Sequence, residues 1–197
     1  MKIDAETLLQ RFRDCRALLD GHFLLSSGLH SPQYFQCALL FDDPRFGRTL
    51  GEALAQSVRE AGCGDVSRIV GPALGGVIAA YELAAALGAR NAFAERGADG
   101  RMTLRRGFEV TQGERVIVCE DVVTTGGSAD EVVKMLRALG ANPVAVACVV
   151  DRSSGETRLD VPLTSLVRAQ VQTFDPAACP LCAEGSNAVK PGSRPTP

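Results

Sequence analysis

From Arg68 onward the chain repeats one pattern, a short apolar run, a turn and a helix-length segment, and that pattern restricts the fold more than anything else in the sequence. Arg68-Ile69-Val70, Asn91 to Glu95, Arg115 to Cys119 and Val144 to Val150 have strand length. Val77 to Leu87 and Gly127 to Leu139 have helix length and end at Gly88 and Gly140. A strand apolar at every position must be covered on both faces, and strands separated by helices pair in parallel. The expected class is therefore α/β, a parallel sheet flanked by helices. With 197 residues, 46% of them hydrophobic, the chain is long enough to bury a substantial core.

The segments before Arg68 are less regular. Ala5, Leu8, Leu9, Phe12, Cys15, Leu18 and Leu19 recur at helical spacing and predict an amphipathic helix ended by Gly21. His22 to Pro44 reads as two short strands with a turn at Gly28 to Pro32. Pro44 opens a helix to about Ala61, with Phe46, Leu50, Ala53, Leu54 and Val58 on its buried side. Residues 97–107, rich in Gly and Arg, read as a hairpin or mobile loop. Residues 1–174 form one domain, and 175–197 a C-terminal tail with little periodicity and a frayed end.

Charge and cysteine usage exclude several functions. A net charge of −2 gives no basic field for nucleic acid or anionic lipid. No apolar run approaches membrane-spanning length, and the first residues carry acids without an apolar targeting core, so the expected location is cytoplasmic. Seven cysteines, an odd number and mostly scattered, read as reduced thiols. Lysine occurs only at Lys2, Lys134 and Lys190, which leaves few places for a lysine acid or Schiff base. Cys179-Pro180-Leu181-Cys182 is a lone C-x-x-C. A structural zinc needs four ligands, and no second Cys pair or His pair lies nearby in sequence. Two tails in a dimer could offer four thiolates; otherwise the tail is uncommitted. His22 and His30 have no partner at metal or triad spacing, although His30 could contact a ligand.

In an open parallel sheet, ligands bind beyond the carboxyl ends of the strands. The loop after RVIVC is Glu120-Asp121-Val122-Val123-Thr124-Thr125-Gly126-Gly127-Ser128. Hydroxyls and glycine-freed N–H groups at a helix start suit a phosphate. Two carboxylates would repel that phosphate but accept hydrogen bonds from paired sugar hydroxyls, so the layout suits a ribose 5-phosphate. Ser128 rather than lysine directly follows Gly127, and no lysine comes before Lys134, which excludes a Walker A loop; no G-x-G-x-x-G follows a strand.

Val116 to Ala129 (VIVCEDVVTTGGSA) resembles the phosphoribosyl-diphosphate (PRPP) signature of type I phosphoribosyltransferases. Phe23 to Phe35 resembles the F-x-L-x-S-G-x-x-S-P-x-Y-F run of the orotate members, and Asp151-Arg152-Ser153-Ser154-Gly155 resembles their D-R-x-x-G. The resemblance implies a small N-terminal hood, residues 1–42, over the sheet. It implies that residues 120–128 bind PRPP, with the phosphate on Thr124 to Ser128 and the 2′- and 3′-hydroxyls on Glu120 and Asp121. Pyrophosphate and the cofactor Mg²⁺ would lie toward Gly71 to Gly76, with the ion held through substrate rather than by a side-chain cage. Arg152, Thr124 and Phe35 would meet orotate. Residues 97–107 would be a lid, often completing the partner's site in a homodimer, with Arg96 beside it and Arg101, Arg105 and Arg106 within it.

Three positions depart from the family pattern: Ser26 and Gly75 stand where lysine is usual, and the lid carries only arginines. Arginine stays protonated, so Arg101 or Arg105 is expected to stabilise charge rather than donate a proton. Two other readings stay open at this stage: a purine phosphoribosyltransferase on the same scaffold, and a PRPP-binding regulator without turnover.

Overall fold

The computed structural model describes residues 3, 5–25, 27–153, 155, 157–169 and 171–191. Ser26, Ser154 and the chain end at 192–197 therefore lie outside the described residues. Helix α1 (Ala5–Asp14) is shorter than its apolar spacing suggests. The chain reverses through Arg16, at φ 55°, and the Ala17 N–H returns to the Phe12 carbonyl at 2.7 Å. Leu18 and Leu19 instead begin strand β1 (Leu18–Leu24), so their helical spacing was coincidental. Strand β2 (His30–Phe35) pairs antiparallel with β1. The connection is at 25–29, where Gly28 has φ +85° and Leu25 N–H bonds the Leu29 carbonyl, not at Gly28 to Pro32. Pro32 sits within β2, which a two-stranded sheet tolerates because each strand has a free edge.

After a 3-10 turn at Cys37–Phe41, α2 runs over Pro44–Glu60. Asp43 caps it by accepting the Arg45 N–H at 3.0 Å, and Pro44 fits the first turn, where its missing N–H loses nothing. Leu50, Ala53, Leu54 and Val58 are buried, while Phe46 is only half-buried beneath the Arg11 guanidinium.

The main sheet contains β3 (Arg68–Pro72), β4 (Arg90–Arg96), β5 (Met102–Leu104), β6 (Arg115–Val123), β7 (Asn142–Asp151) and β8 (Leu163–Arg168). Its order is β5-β4-β3-β6-β7-β8. All pairs are parallel except β4–β5, a hairpin that adds an antiparallel edge to the expected parallel sheet. Helix α3 (Gly76–Leu87) joins β3 to β4, and α4 (Gly127–Ala138) joins β6 to β7. Alternation along β6 divides the core, since successive strand side chains point to opposite faces. Ile117 and Cys119 pack with α2 and α3, whereas Val116 and Val118 pack with α4. The result is three layers, helix–sheet–helix.

The tail is held by the hood. Phe174 and His30 exchange both backbone hydrogen bonds at 2.9 Å, and Val189 bonds Leu24 N–H and the His22 carbonyl. Between these clamps lie a 3-10 turn at Pro176–Ala178 and a short helix, α5 (Pro180–Ala183). This corrects the expectation of an uncommitted tail over the described residues to 191. It also corrects the reading of His22 and His30 as lacking partners: the fold brings both rings against Cys179 and Cys182. Sequence spacing could not reveal this, because 157 residues separate His22 from Cys179.

Candidate active site

Strands β3 and β6 are neighbours, but the chain leaves β3 toward β4 and leaves β6 toward β7. Two adjacent strands whose connections diverge open a crevice beyond their carboxyl ends. The turn Pro72 to Gly76 forms one wall and the loop Val123 to Gly127 the other. The first wall must be thin. A Cβ on Gly76 would lie 2.6 Å from the Cys119 carbonyl oxygen, and one on Gly75 would lie 2.7 Å from both Asp121 carboxylate oxygens. The absence of lysine at position 75 thus has a local counterpart: Asp121 occupies the space that a side chain would need.

On β6, Glu120 is buried and Asp121 half-buried. Burial pushes the Asp121 carboxyl above its ordinary range, opposed by the Val122 N–H, which donates to Oδ1 at 2.8 Å. Beyond the strand, Gly126 has φ +77°, a conformation that favours glycine, and immediately precedes the first residue of α4. Arg152 N–H to Val123 and Arg158 N–H to Thr125 fix the loop carbonyls. A small pocket of about 40 Å³ is lined by Glu120, Val122, Val123, Thr124, Gly126, Gly127 and Ser128. Unsatisfied N–H groups and the helix dipole at the α4 start favour an anion there. The structure therefore gathers most of the predicted PRPP segment around one cavity, but neither Asp121 nor the exposed Thr125 lines it.

A second subsite forms where the loop after β7 meets the hood. The Arg152 guanidinium lies over the Phe35 ring at 5.5 Å, and its Nη2 donates to Ser31 Oγ at 3.2 Å. Its Nε is buried without a partner among the described residues. Burial lowers the Arg152 pKa, a sign of a cation held partly out of water. Burial also raises the Tyr34 hydroxyl pKa, with a further contribution from the Asp121 charge. Ser31 and Tyr34 were not among the predicted contacts. Their presence in the family-like Phe23 to Phe35 run was the available signal, but their roles depend on the hood being folded against β7.

The lid arginines are arranged differently. Arg96 makes a two-pronged ion pair with Glu131 of α4, at 2.7 and 3.1 Å, and bonds the Gly100 carbonyl. Arg106 pairs in the same way with Glu95 and lies near the Phe93 ring. The Arg101 side chain is 87% exposed and, among the described residues, pairs with Asp99 alone, at 4.0 Å. Residues 97–101 form a tight turn, with Gly97 N–H on the Arg101 carbonyl, and 102–104 are strand β5 at the sheet edge, so part of the expected lid is built into the sheet. The fold of this chain does not bring Arg101 to the pocket-lining residues.

The divergent strand connections, the anion-suited helix start and the paired carboxylates define a ribose-phosphate-binding α/β protein. The phosphoribosyl transferase domain model matches residues 38–178. The chain is 52% identical to the orotate phosphoribosyltransferase of Carboxydothermus hydrogenoformans, over 95% of this chain and 97% of that protein. It is also 52% identical to the Thermotoga maritima orotate phosphoribosyltransferase, over 90% and 93%. The crystal structure of the Aeropyrum pernix orotate phosphoribosyltransferase superposes with a TM-score of 0.70 at 27% identity, covering 83% of this chain and 94% of that one. The chain belongs to the phosphoribosyltransferase family, in its orotate branch.

Proposed function

We infer that the chain transfers the 5-phosphoribosyl group of PRPP to N1 of orotate, giving orotidine 5′-phosphate and pyrophosphate for pyrimidine synthesis. The observation that carries this reading is the half-buried Arg152 guanidinium, stacked on Phe35 and bonded to Ser31, with a buried Nε–H that has no partner among the described residues. Orotate differs from uracil by a carboxylate, and a planar guanidinium is suited to a carboxylate. The 52% identity to orotate enzymes over nearly the whole chain points the same way.

In this reading the sugar phosphate rests on Thr124 to Ser128, and Glu120 and Asp121 accept from the ribose 2′- and 3′-hydroxyls. The C1–N1 bond forms as the C1–O bond to pyrophosphate breaks, with the electron pair leaving on pyrophosphate. Positive charge develops on the ribose ring, and the two carboxylates beside it favour that state over the neutral ground state. Arg152 and Phe35 set the base in line with C1, which lowers the entropic part of the barrier. The oxygen-only donors Glu120 and Asp121, with substrate oxygens, fit the hard cation Mg²⁺, which when bound would neutralise charge on the pyrophosphate. The exposed Arg101 is free to close over pyrophosphate in a partner subunit of a homodimer, excluding water from the sugar cation. Seven free thiols suit a reducing cytoplasm, and no described helix is long and apolar enough to cross a membrane.

The test is a spectrophotometric assay with PRPP and Mg²⁺, offering orotate, uracil, adenine and hypoxanthine in parallel. Orotate-selective loss is expected. Turnover with a purine alone would retain the phosphate loop and remove Arg152 from base recognition; binding of PRPP without any product would favour a regulator.

A further inference from the structure

A second cluster of reactive side chains lies away from the crevice, where the tail crosses the hood. His22 comes from β1, His30 opens β2, and Cys179 and Cys182 flank the first turn of α5. The hairpin places the two histidines side by side, and the i, i+3 spacing of the cysteines places both sulfurs on one side of a turn. His22 Nε2 lies 2.9 Å from His30 Nδ1, 3.5 Å from Cys179 Sγ and 3.8 Å from Cys182 Sγ. Cys182 Sγ lies 3.4 Å from His30 Nδ1, and all four ligand atoms are within 4.8 Å of one another. We propose that His22, His30, Cys179 and Cys182 form a tetrahedral Zn²⁺ site that staples the C-terminal tail to the hood.

The dimensions fit the ion. With Zn–N bonds of about 2.0–2.1 Å and Zn–S bonds of about 2.3 Å, a tetrahedron has edges of roughly 3.3 Å between nitrogens and 3.5–3.6 Å between nitrogen and sulfur. The observed nitrogen–sulfur separations of 3.4, 3.5 and 3.8 Å bracket that edge, and the 2.9 Å nitrogen pair needs to open by only a few tenths of an ångström. The outer partner is also present: His22 Nδ1 sits 3.1 Å from Ser186 Oγ. A proton held on Nδ1 toward that hydroxyl leaves the Nε2 lone pair facing the cluster, the arrangement that orients a ligating imidazole. Two thiolates and two imidazoles are the donors that Zn²⁺ prefers over Mg²⁺ or Ca²⁺. His22, His30 and Cys179 are buried, and four protein donors leave no open position, so the site is structural rather than catalytic.

Its placement suggests what the staple does. His30 immediately precedes Ser31, the hydroxyl that receives the Arg152 guanidinium, and the tail clamps Phe174–His30 and Val189–Leu24 bracket the cluster. A metal at this point fixes the start of the strand that carries Ser31, Tyr34 and Phe35. The clause concerning Arg152 rests on the orotate reading; the metal site does not, and its test needs no turnover.

The full chain, purified without a polyhistidine tag and under reductant, should contain about one zinc per chain by elemental analysis. Replacement by Co²⁺ should give the intense visible d–d bands and near-ultraviolet thiolate charge transfer of a tetrahedral sulfur–nitrogen site. Cys182→Ser, at the exposed ligand, should lose the metal and alter the cobalt spectrum while remaining folded by circular dichroism. Chelation should lower the melting temperature of the wild type and leave that of Cys182→Ser unchanged. The proposal is overturned by a chain that takes up no zinc when reconstituted with an equimolar amount and shows no cobalt colour. It is equally overturned by wild-type zinc and cobalt signals that persist in both Cys182→Ser and His22→Gln, or by a mass two hydrogens light from a Cys179–Cys182 disulfide in the isolated chain.

Discussion

Two buried charge sites, one at each end of the central sheet, are treated in opposite ways. At the amino end, Arg68 Nε meets Glu114 Oε1 at 2.9 Å, with both side chains nearly inaccessible at 5% and 7% exposure. Burial would push the Glu114 carboxyl up, but the Thr111 N–H, the Arg68 guanidinium and the Ser67 hydroxyl outweigh it and hold the carboxyl below its ordinary range. At the carboxyl end, Asp121 makes no ion pair among the described residues and burial raises its pKa, while Arg152 keeps a buried donor unused. The amino-end pair is satisfied within the fold, as is Asp151 at the carboxyl end through Arg168 and Ser153, whereas Asp121 has no ion pair among the described residues and the Arg152 Nε has no hydrogen-bond partner among them. The loop end is thus where stability has been exchanged for function.

Breaking the amino-end pair should have the largest effect. Arg68→Ala leaves Glu114 buried without its cation and should cost about 3–5 kcal/mol of stability in denaturant titrations, with turnover per folded molecule unchanged. The pair's contribution is present above the unfolded carboxylate range and is lost as pH falls through the lowered Glu114 pKa. At the opposite end, Arg152→Ala should lower kcat/KM for orotate by about 10²–10³-fold, the effect of truncating one partner of a desolvated charge pair, while barely lowering the melting temperature.

Asp121→Asn sharpens the contrast, because it should reduce turnover and yet raise the melting temperature of the free protein. The sign follows from a raised folded pKa: the wild type is relatively stable at low pH and loses that stability as pH rises through the Asp121 pKa. The stability gain of the variant should therefore be greatest at neutral pH and close on acidification, the reverse of the Arg68–Glu114 dependence. Arg101 provides an intermediate effect. Arg101→Ala should lower kcat by about tenfold to a hundredfold and Arg101→Lys should retain turnover, if a cation of either kind suffices at the pyrophosphate. The smallest effect belongs to Lys134, whose exposed ammonium pairs at i, i+4 with the largely buried Asp130; Lys134→Ala should cost about 1 kcal/mol or less and leave turnover unaltered.

The same contrast explains what could be read from the sequence. Strand runs such as Val144 to Val150 are contiguous, so spacing and residue type carry them; of the expected loop from Glu120 to Ser128, however, only 124–126 lie between elements, because β6 continues to Val123 and α4 starts at Gly127. Leu18 and Leu19 misled because two further apolar residues continued a helical period past the Arg16 reversal. The Arg152–Ser31 contact joins residues 121 apart, and the His–Cys cluster joins residues more than 150 apart. Such contacts depend on how the hood and tail close on the sheet, which no local pattern encodes. Asp121 standing where a Gly75 side chain would lie is likewise a tertiary fact, although the missing lysine itself was visible.

The most direct measurement is the ratio of kcat/KM for orotate to that for uracil, taken in the wild type and in Arg152→Ala under the same PRPP and Mg²⁺ concentrations. The wild type should prefer orotate strongly, and the variant should lose most of that preference while still binding PRPP. A variant that keeps the wild-type ratio would contradict the assignment of the unused Arg152 donor to the substrate carboxylate.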